Sequence, residues 1–291
     1  MINNIKINII RNKIIDILKK HGFKALFLAG LNYNLIRIFN LKLVKHNDLR
    51  FDKIGKNLFK GRRLKKSDNG YFYCDPMPND KELSDYYKNS YWDSREKSSI
   101  CNIRDLIHYN LIKKNIPNFF KSGSKSIVNI GSGLGGGISH LFWLDGFNIT
   151  NVDLALPDTQ NFYKKRLKYI KNIKEIKDQS IDLVYSSHQL EHVSDINKFK
   201  LEINRILKSN SFLFFEVPNM RHHENGAQKN KIDIPHTYYF STDFFSNWFD
   251  EIILNQAFDP GRDKEIIEGQ EEYINKYGKI IIALGKILNK K

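Results

Sequence analysis

The chain has 291 residues, 41% of them hydrophobic, and 47 Lys/Arg against 32 Asp/Glu give it a net charge of +15. That is enough apolar material for one large domain with an appendage, and it excludes an intrinsically disordered chain. Two cysteines, Cys74 and Cys101, exclude a disulfide framework and cannot by themselves form a zinc site.

Residues 1–66 hold 17 of the Lys/Arg and only Asp16, Asp48 and Asp52 among the acids, so this arm carries nearly all the excess charge. Residues 1–20 read as a helix, with Ile10, Ile14, Ile17 and Leu18 on one face and Lys6, Lys13 and Lys20 on another. A second helix is expected from Ala25 to Phe39. Asn32, Asn34 and Arg37 interrupt the apolar stretch Ala25–Leu41, which is also short for a membrane span. No apolar leader with a small-residue cleavage site is found, so a cytoplasmic protein is expected. The charge asymmetry points to an anionic partner: a membrane surface at its inner face, a charged glycan or nucleic acid. General enrichment in Ile, Asn and Lys inflates lysine too, yet the rest of the chain shares that bias and is nearly neutral.

The basic run Lys60–Lys66 precedes a turn, Ser67-Asp-Asn-Gly70, where the arm is expected to end. Residues 67–115 form an aromatic-rich connector. It begins with a Pro-containing loop, Tyr71–Asn79, and continues with a helix from Glu82 to Trp92 that carries Tyr86, Tyr87 and Tyr91. These rings either wall a ligand or cap the edge of a sheet. Residues 100–115 read as a helix leading into the core at 116–291.

The core alternates strand and helix. Strands are expected at 126–131, 148–153, 168–172, 181–186, 211–217, near 251–256 and at 279–284. Helices are expected from about 135, at 158–167, at 195–207 and at 242–249. Such alternation builds a parallel sheet covered by helices on both faces. The first strand enters the glycine loop Gly131-Ser-Gly-Leu-Gly135, and Asp153 ends the second strand 18 positions past Gly135. This arrangement binds an adenosine-bearing cofactor at the carboxyl edge of the sheet. Gly131, Gly133 and Gly135 allow close approach of the backbone, and Asp153 is placed to accept from ribose hydroxyls.

The glycine loop alone does not separate nicotinamide, flavin and S-adenosyl-L-methionine (SAM) sites. The stretch Ile181-Asp-Leu-Val-Tyr-Ser-Ser-His-Gln-Leu-Glu-His-Val193 does, followed by Arg205-Ile-Leu-Lys208 and Phe215-Glu-Val-Pro-Asn219. Together these resemble the class I SAM-dependent methyltransferases across roughly residues 116–250. The resemblance implies a Rossmann-like seven-stranded sheet, SAM as cofactor, and Asn129, Gly131, Gly133, Gly135, Asp153 and Asn172 on the cofactor side. Asn129 stands where the family usually has Asp. The stretch after the third strand lacks the family's frequent acidic residue, leaving Asn172 as a substitute. Members of this shape often act in surface-polysaccharide or lipid-linked sugar pathways.

Methyl transfer from a sulfonium is a direct displacement, so the protein chiefly aligns donor and acceptor and takes up a proton. His188, Glu191 and His192 stand at i, i+3 and i+4, which on a helical turn share one side. His188 and His192 suit proton transfer near neutral pH, and His236, after Pro235, matches the family's usual histidine. His222 and His223 are left unassigned. A His–Glu–His metal site fits the same spacing, as does a purely structural Leu-Glu-His turn, and no metal is assigned. The expected activity is methylation, on oxygen, of a small-molecule or glycan-linked acceptor. A dehydrogenase is disfavoured because the only Tyr-x-x-x-Lys spacing, Tyr109–Lys113, precedes the glycine loop. Amino-methylation of DNA is disfavoured because Tyr185-Ser-Ser-His188 replaces the Pro-Pro motif. An RNA methyltransferase using the basic arm, or an inactive module that keeps the fold, remains an alternative.

Overall fold

A computed structural model describes residues 53–88, 103–121, 124–133, 137–154, 167–222, 231–258 and 278–288. The helices expected within 1–52 and at 158–167 lie outside these residues, as do Tyr91, Trp92, Cys101, Gly135 and His223. In chain order the main elements are α1 (Lys53–Leu58), β1 (Arg63–Lys66), β2 (Tyr71–Asp75), α2 (Asp80–Tyr86), α3 (Ile103–Asn115), α4 (Pro117–Lys121) and β3 (Ser126–Ile130). Then come α5 (Ser139–Leu144), β4 (Asn148–Val152), β5 (Lys168–Ile170), β6 (Ile181–Ser187), α6 (Ile196–Ile206) and β7 (Leu207–Pro218). The described chain closes with β8 (Tyr238–Phe240), α7 (Thr242–Ser246), β9 (Glu251–Phe258) and β10 (Ile280–Ile287).

Seven strands form one sheet in the order β5-β4-β3-β6-β7-β10-β9. The pairs β5–β4, β4–β3, β3–β6 and β6–β7 are parallel. β10 is antiparallel to both of its neighbours, β7 and β9. All seven were expected from the periodicity. Central strands buried on both faces read as continuous apolar runs, and alternate residues feed two cores. Val128, Val184, Leu213 and Phe215 pack on one face with Ile203, Phe245 and Trp248. Ile127, Leu183, Tyr185 and Phe214 pack on the other with Ile112 of α3 and Phe142 of α5.

A second sheet, β1-β2-β8, was not anticipated. Tyr71–Asp75, expected as part of a loop, is a strand, and the hairpin it makes with β1 runs across residue 66. The hairpin closes through a glycine at φ +78, Gly70, and β2 then pairs antiparallel with β8. Its inner side is aromatic: Tyr71 makes edge contacts with Tyr238 and Phe244. β8 is also bridged to the end of β7 through Asn219 and Phe240. The small sheet therefore stands over the carboxyl edge of the large one.

Among the described glycines, Gly285 has the least room for a side chain. A β-carbon there would come within 2.1 Å of the buried Phe249 ring, beside a register shift between β10 and β9. Gly285→Ala is expected to destabilise the fold by about 1–3 kcal/mol through overpacking. Urea unfolding of the variant against the wild type measures it.

Candidate active site

The carboxyl ends of β3, β4 and β6 place the residues expected to meet the cofactor. β3 turns at Gly131, whose φ of +71° and whose contact with Gln189 both require glycine; an added β-carbon would lie 2.5 Å from Gln189 Cβ and Cγ. Gly133 follows at φ +62°. Its N–H donates to Asp153 Oδ2 at 2.8 Å, so the carboxylate after β4 is tied to the glycine loop. Asn129 is 4% exposed and faces inward. Its Nδ2 donates to Ser139 Oγ at 3.0 Å, and that hydroxyl donates to Asn151 Oδ1 at 2.6 Å. This buried chain fastens β3 to α5 and β4 beneath the loop. Asn172, at the same sheet edge after β5, is exposed and accepts from Lys174 N–H in a capping box with Glu175.

The histidines expected on the acceptor side converge. The short 3-10 turn Leu190–His192 follows β6, and His188 enters it in the left-handed region at φ +51°. His188 Nδ1 lies 3.1 Å from Glu191 Oε1, and His188 Nε2 lies 2.7 Å from Glu216 Oε1. His192 Nε2 is 3.8 Å from Glu191 Oε1. His236, 44 positions past His192 and 48 past His188 in sequence, packs its ring 5.0 Å from that of His192. Thr237 makes the connection: its N–H and Oγ1 donate to the Glu191 carbonyl, and Oγ1 also donates to that of Val193. Tyr87 of the connector sets its ring edge-on to His192 at 5.6 Å. The buried Cys74 thiol donates to the His236 carbonyl at 3.5 Å. His222 is buried beside the end of β7, where its N–H bonds to the Asn219 carbonyl.

Three residues of the cluster were not anticipated: Glu216, His108 and Arg104. Glu216 on β7 is 1% exposed. His108 Nε2 contacts its second carboxylate oxygen, and Arg104 Nη1 lies 3.5 Å from the first. His108 Nδ1 is 2.7 Å from the Tyr185 hydroxyl. The only sequence signal for Glu216 was a carboxylate inside an otherwise apolar strand, Phe212–Val217. His108 and Arg104 are one helical turn apart on α3 and carried no periodic signal of their own.

The electrostatics follow from burial and pairing. Burial works against a charged His188, but the hydrogen bonds it donates to Glu191 and Glu216 outweigh it and raise its pKa to about 9. Both of its ring nitrogens therefore face carboxylates, and the side chain, 33% exposed, is a fixed cation at neutral pH. Burial also works against Glu216, and His108 and His188 reverse that effect, holding the carboxyl well below its usual range. Burial keeps His192 neutral, with its pKa lowered to about 3.

Glu216→Gln is expected to cost about 3–5 kcal/mol, the range for breaking a buried pair. The pH dependence has two sides. A carboxyl held low stabilises the fold above its unfolded value near 4.5 and loses this as pH falls. A raised histidine stabilises it fully below 6.5 and loses this as pH rises through about 9. The difference between wild type and variant in urea unfolding should therefore be largest between about pH 5 and 6.5 and shrink on either side.

Comparison with known proteins adds the following. Residues 128–215 match the family model described as "Methyltransferase domain". Among solved structures, the chain is similar to the 1,6-didemethyltoxoflavin-N1-methyltransferase of Burkholderia thailandensis, crystallised with 1,6-didemethyltoxoflavin and S-adenosylhomocysteine. The two share 12% identity over 78% of this chain and 100% of that one, with a TM-score of 0.51. At this identity the likeness is one of fold. A SAM-dependent methyltransferase from Mesorhizobium loti overlaps 61% of this chain and 96% of its own, at 13% identity and a TM-score of 0.46. No curated protein matches the sequence. The matched segment runs from the glycine-loop strand into β7, and the site just described stands at its carboxyl edge, with His108, Glu216 and His236 supplied from outside it. Residues 128–215 of the chain carry a methyltransferase domain.

Proposed function

We propose that the protein transfers the methyl group of SAM to an oxygen of a small-molecule or glycan-linked acceptor. One observation carries this reading. His188, His192 and His236, from two separate segments, meet around Glu191 beside Gln189, which itself covers Gly131. The glycine loop that would hold the donor and this cluster thus share the carboxyl edge of the sheet.

In this reading Gly131, Gly133 and Gly135 let the protein backbone come close to the cofactor, Asp153 takes the ribose hydroxyls, and Asn129 supports the loop from below. Asn172 stands on the adenine side. When bound there, SAM would supply a methyl group that passes to the acceptor oxygen as its carbon–sulfur bond breaks, leaving S-adenosylhomocysteine. The hydroxyl proton passes to His192 or His236. His192 is kept neutral by burial, and with its pKa lowered to about 3 it is a weak base that holds the proton only transiently. His188, protonated between the Glu191 and Glu216 carboxylates, holds both in place, and a preference for an acceptor bearing phosphate or another anion rests on the basic segment instead.

The basic segment suits such an acceptor at an anionic membrane surface on the cytoplasmic side. Lys53, Lys56, Lys60, Arg63, Lys65 and Lys66 are exposed on α1 and the hairpin, with Ile54 56% exposed among them. None of the described helices is long and apolar enough to cross a membrane.

Calorimetric titration with S-adenosylhomocysteine, with NADH as control, tests the cofactor assignment. Micromolar binding of the former alone is expected, and binding of neither by folded protein would sink the reading. Asp153→Ala should weaken that binding by about 1–3 kcal/mol, roughly 5- to 150-fold, by leaving ribose hydroxyls unpaired. Removing residues 1–52 and reversing the charge at Lys53, Lys56 and Lys60 should abolish cosedimentation with phosphatidylglycerol vesicles while leaving cofactor affinity intact. Undiminished cosedimentation would place the membrane contact elsewhere.

A further inference from the structure

Glu191, His192 and His236 each offer one ligand atom, and these atoms all lie within 4.8 Å of one another. Each residue also carries a feature that methyl transfer by itself leaves unexplained. Glu191 is 1% exposed, and while its Oε1 faces His188 and His192, its Oε2 is buried without a hydrogen-bond partner. Leaving a buried carboxylate oxygen unsatisfied is costly.

The two histidines are arranged as metal-bound imidazoles usually are. A ligating histidine normally directs its second ring nitrogen at a backbone carbonyl or a carboxylate, which fixes the tautomer and aims the first at the ion. His192 Nδ1 lies 3.5 Å from the Pro235 carbonyl, and its Nε2 is the atom turned toward Glu191. His236 Nδ1 lies 3.8 Å from the Asp233 carboxylate, so Nε2 is the nitrogen it would offer to an ion. Both rings are only partly buried, which leaves an approach from the acceptor side, whereas the carboxylate forms the floor. The bonds from Thr237 to the Glu191 and Val193 carbonyls lock the two segments together and hold the spacing.

We propose that Glu191, His192 and His236 form a binding site for a single divalent transition-metal ion of the zinc class. Two imidazoles and one carboxylate suit zinc, iron, cobalt or nickel, whereas magnesium and calcium prefer all-oxygen sets. Three protein ligands leave at least one coordination position for an exogenous oxygen. His188 is not a ligand: its nitrogens are committed to Glu191 and Glu216, and it fixes the carboxylate from behind. The proposal goes beyond the methyl-transfer reading and does not need it. If both hold, the ion binds the acceptor hydroxyl and lowers its pKa. The proton then goes to bulk water, the oxygen attacks the methyl carbon, the carbon–sulfur bond breaks, and the histidine lone pairs serve the ion instead of the proton.

The full-length protein, stripped with chelator and dialysed, would be titrated with Zn²⁺ by calorimetry, with Mg²⁺ as comparison, and with Co²⁺ followed by visible absorption. Saturation at one equivalent is expected, with visible Co²⁺ ligand-field bands and at least tenfold preference for Zn²⁺ over Mg²⁺. His236→Ala and Glu191→Gln should each weaken Zn²⁺ binding at least tenfold and remove the Co²⁺ bands. Asp233→Asn, which alters only the support of His236, should weaken it by a smaller factor. Circular dichroism identifies any variant that fails to fold; His236, on a partly exposed ring, decides the matter if Glu191→Gln does not fold. Absence of stoichiometric binding, wild-type affinity in folded His236→Ala, or tighter Mg²⁺ than Zn²⁺ would overturn the proposal. S-adenosylhomocysteine is titrated in parallel: if it binds and zinc does not, the metal site falls alone, and if zinc binds and it does not, the methyl-transfer reading falls alone.

Discussion

Two carboxylates buried at the carboxyl edge of the large sheet govern how the rest of the site is built. An ionised Glu216 or Glu191 isolated in an apolar interior would be prohibitively costly. Each is made tolerable by partners delivered from elsewhere in the chain: α3 brings His108 and Arg104 to Glu216, the loop after β6 brings His188 to both, and the segment before β8 brings His236 toward Glu191. His188 bridges them, which explains why the chain accepts a left-handed backbone at a non-glycine position there. The packing of a helix, a loop and a small sheet against this edge is therefore an electrostatic requirement as well as a hydrophobic one.

The large sheet was legible in the sequence because its strands are doubly buried or alternate cleanly. Runs such as Ile181–Tyr185 and Phe212–Val217 leave little choice of structure, and glycine after β3 fixes where the turn falls. The small sheet was hidden for a physical reason. β8 is only three residues long, and Tyr71–Asp75 is followed by prolines that read as loop. β2 has a local partner in β1, but its other edge is completed by β8 far away in sequence, and local pattern carries no record of that pairing.

The site divides along the same line. His188, Glu191 and His192 could be grouped from spacing alone, since all three fall within five consecutive residues. His236 could be suspected but not placed, because its position depends on Thr237 reaching the Glu191 carbonyl. Glu216 and His108 were invisible as a pair, being joined only once β7 and α3 pack on the same sheet. Asn129 was legible as a departure from its family. The structure accounts for it locally: an amide can both donate and accept, and here it donates into the chain running through Ser139 to Asn151.

The pairing of β2 with β8 has a consequence for how the protein comes into being. Ser241 Oγ bonds to the Gly70 carbonyl across 171 residues of sequence, and the strands beside that contact close the same loop. Closing so long a loop is entropically affordable only after the intervening sheet has condensed and drawn its ends together. During synthesis, the segment carrying His236 emerges after most of the chain has left the ribosome. The glycine loop between β3 and β4 can thus assemble early, while the cluster around His192 and His236 is the last part of the molecule to take shape.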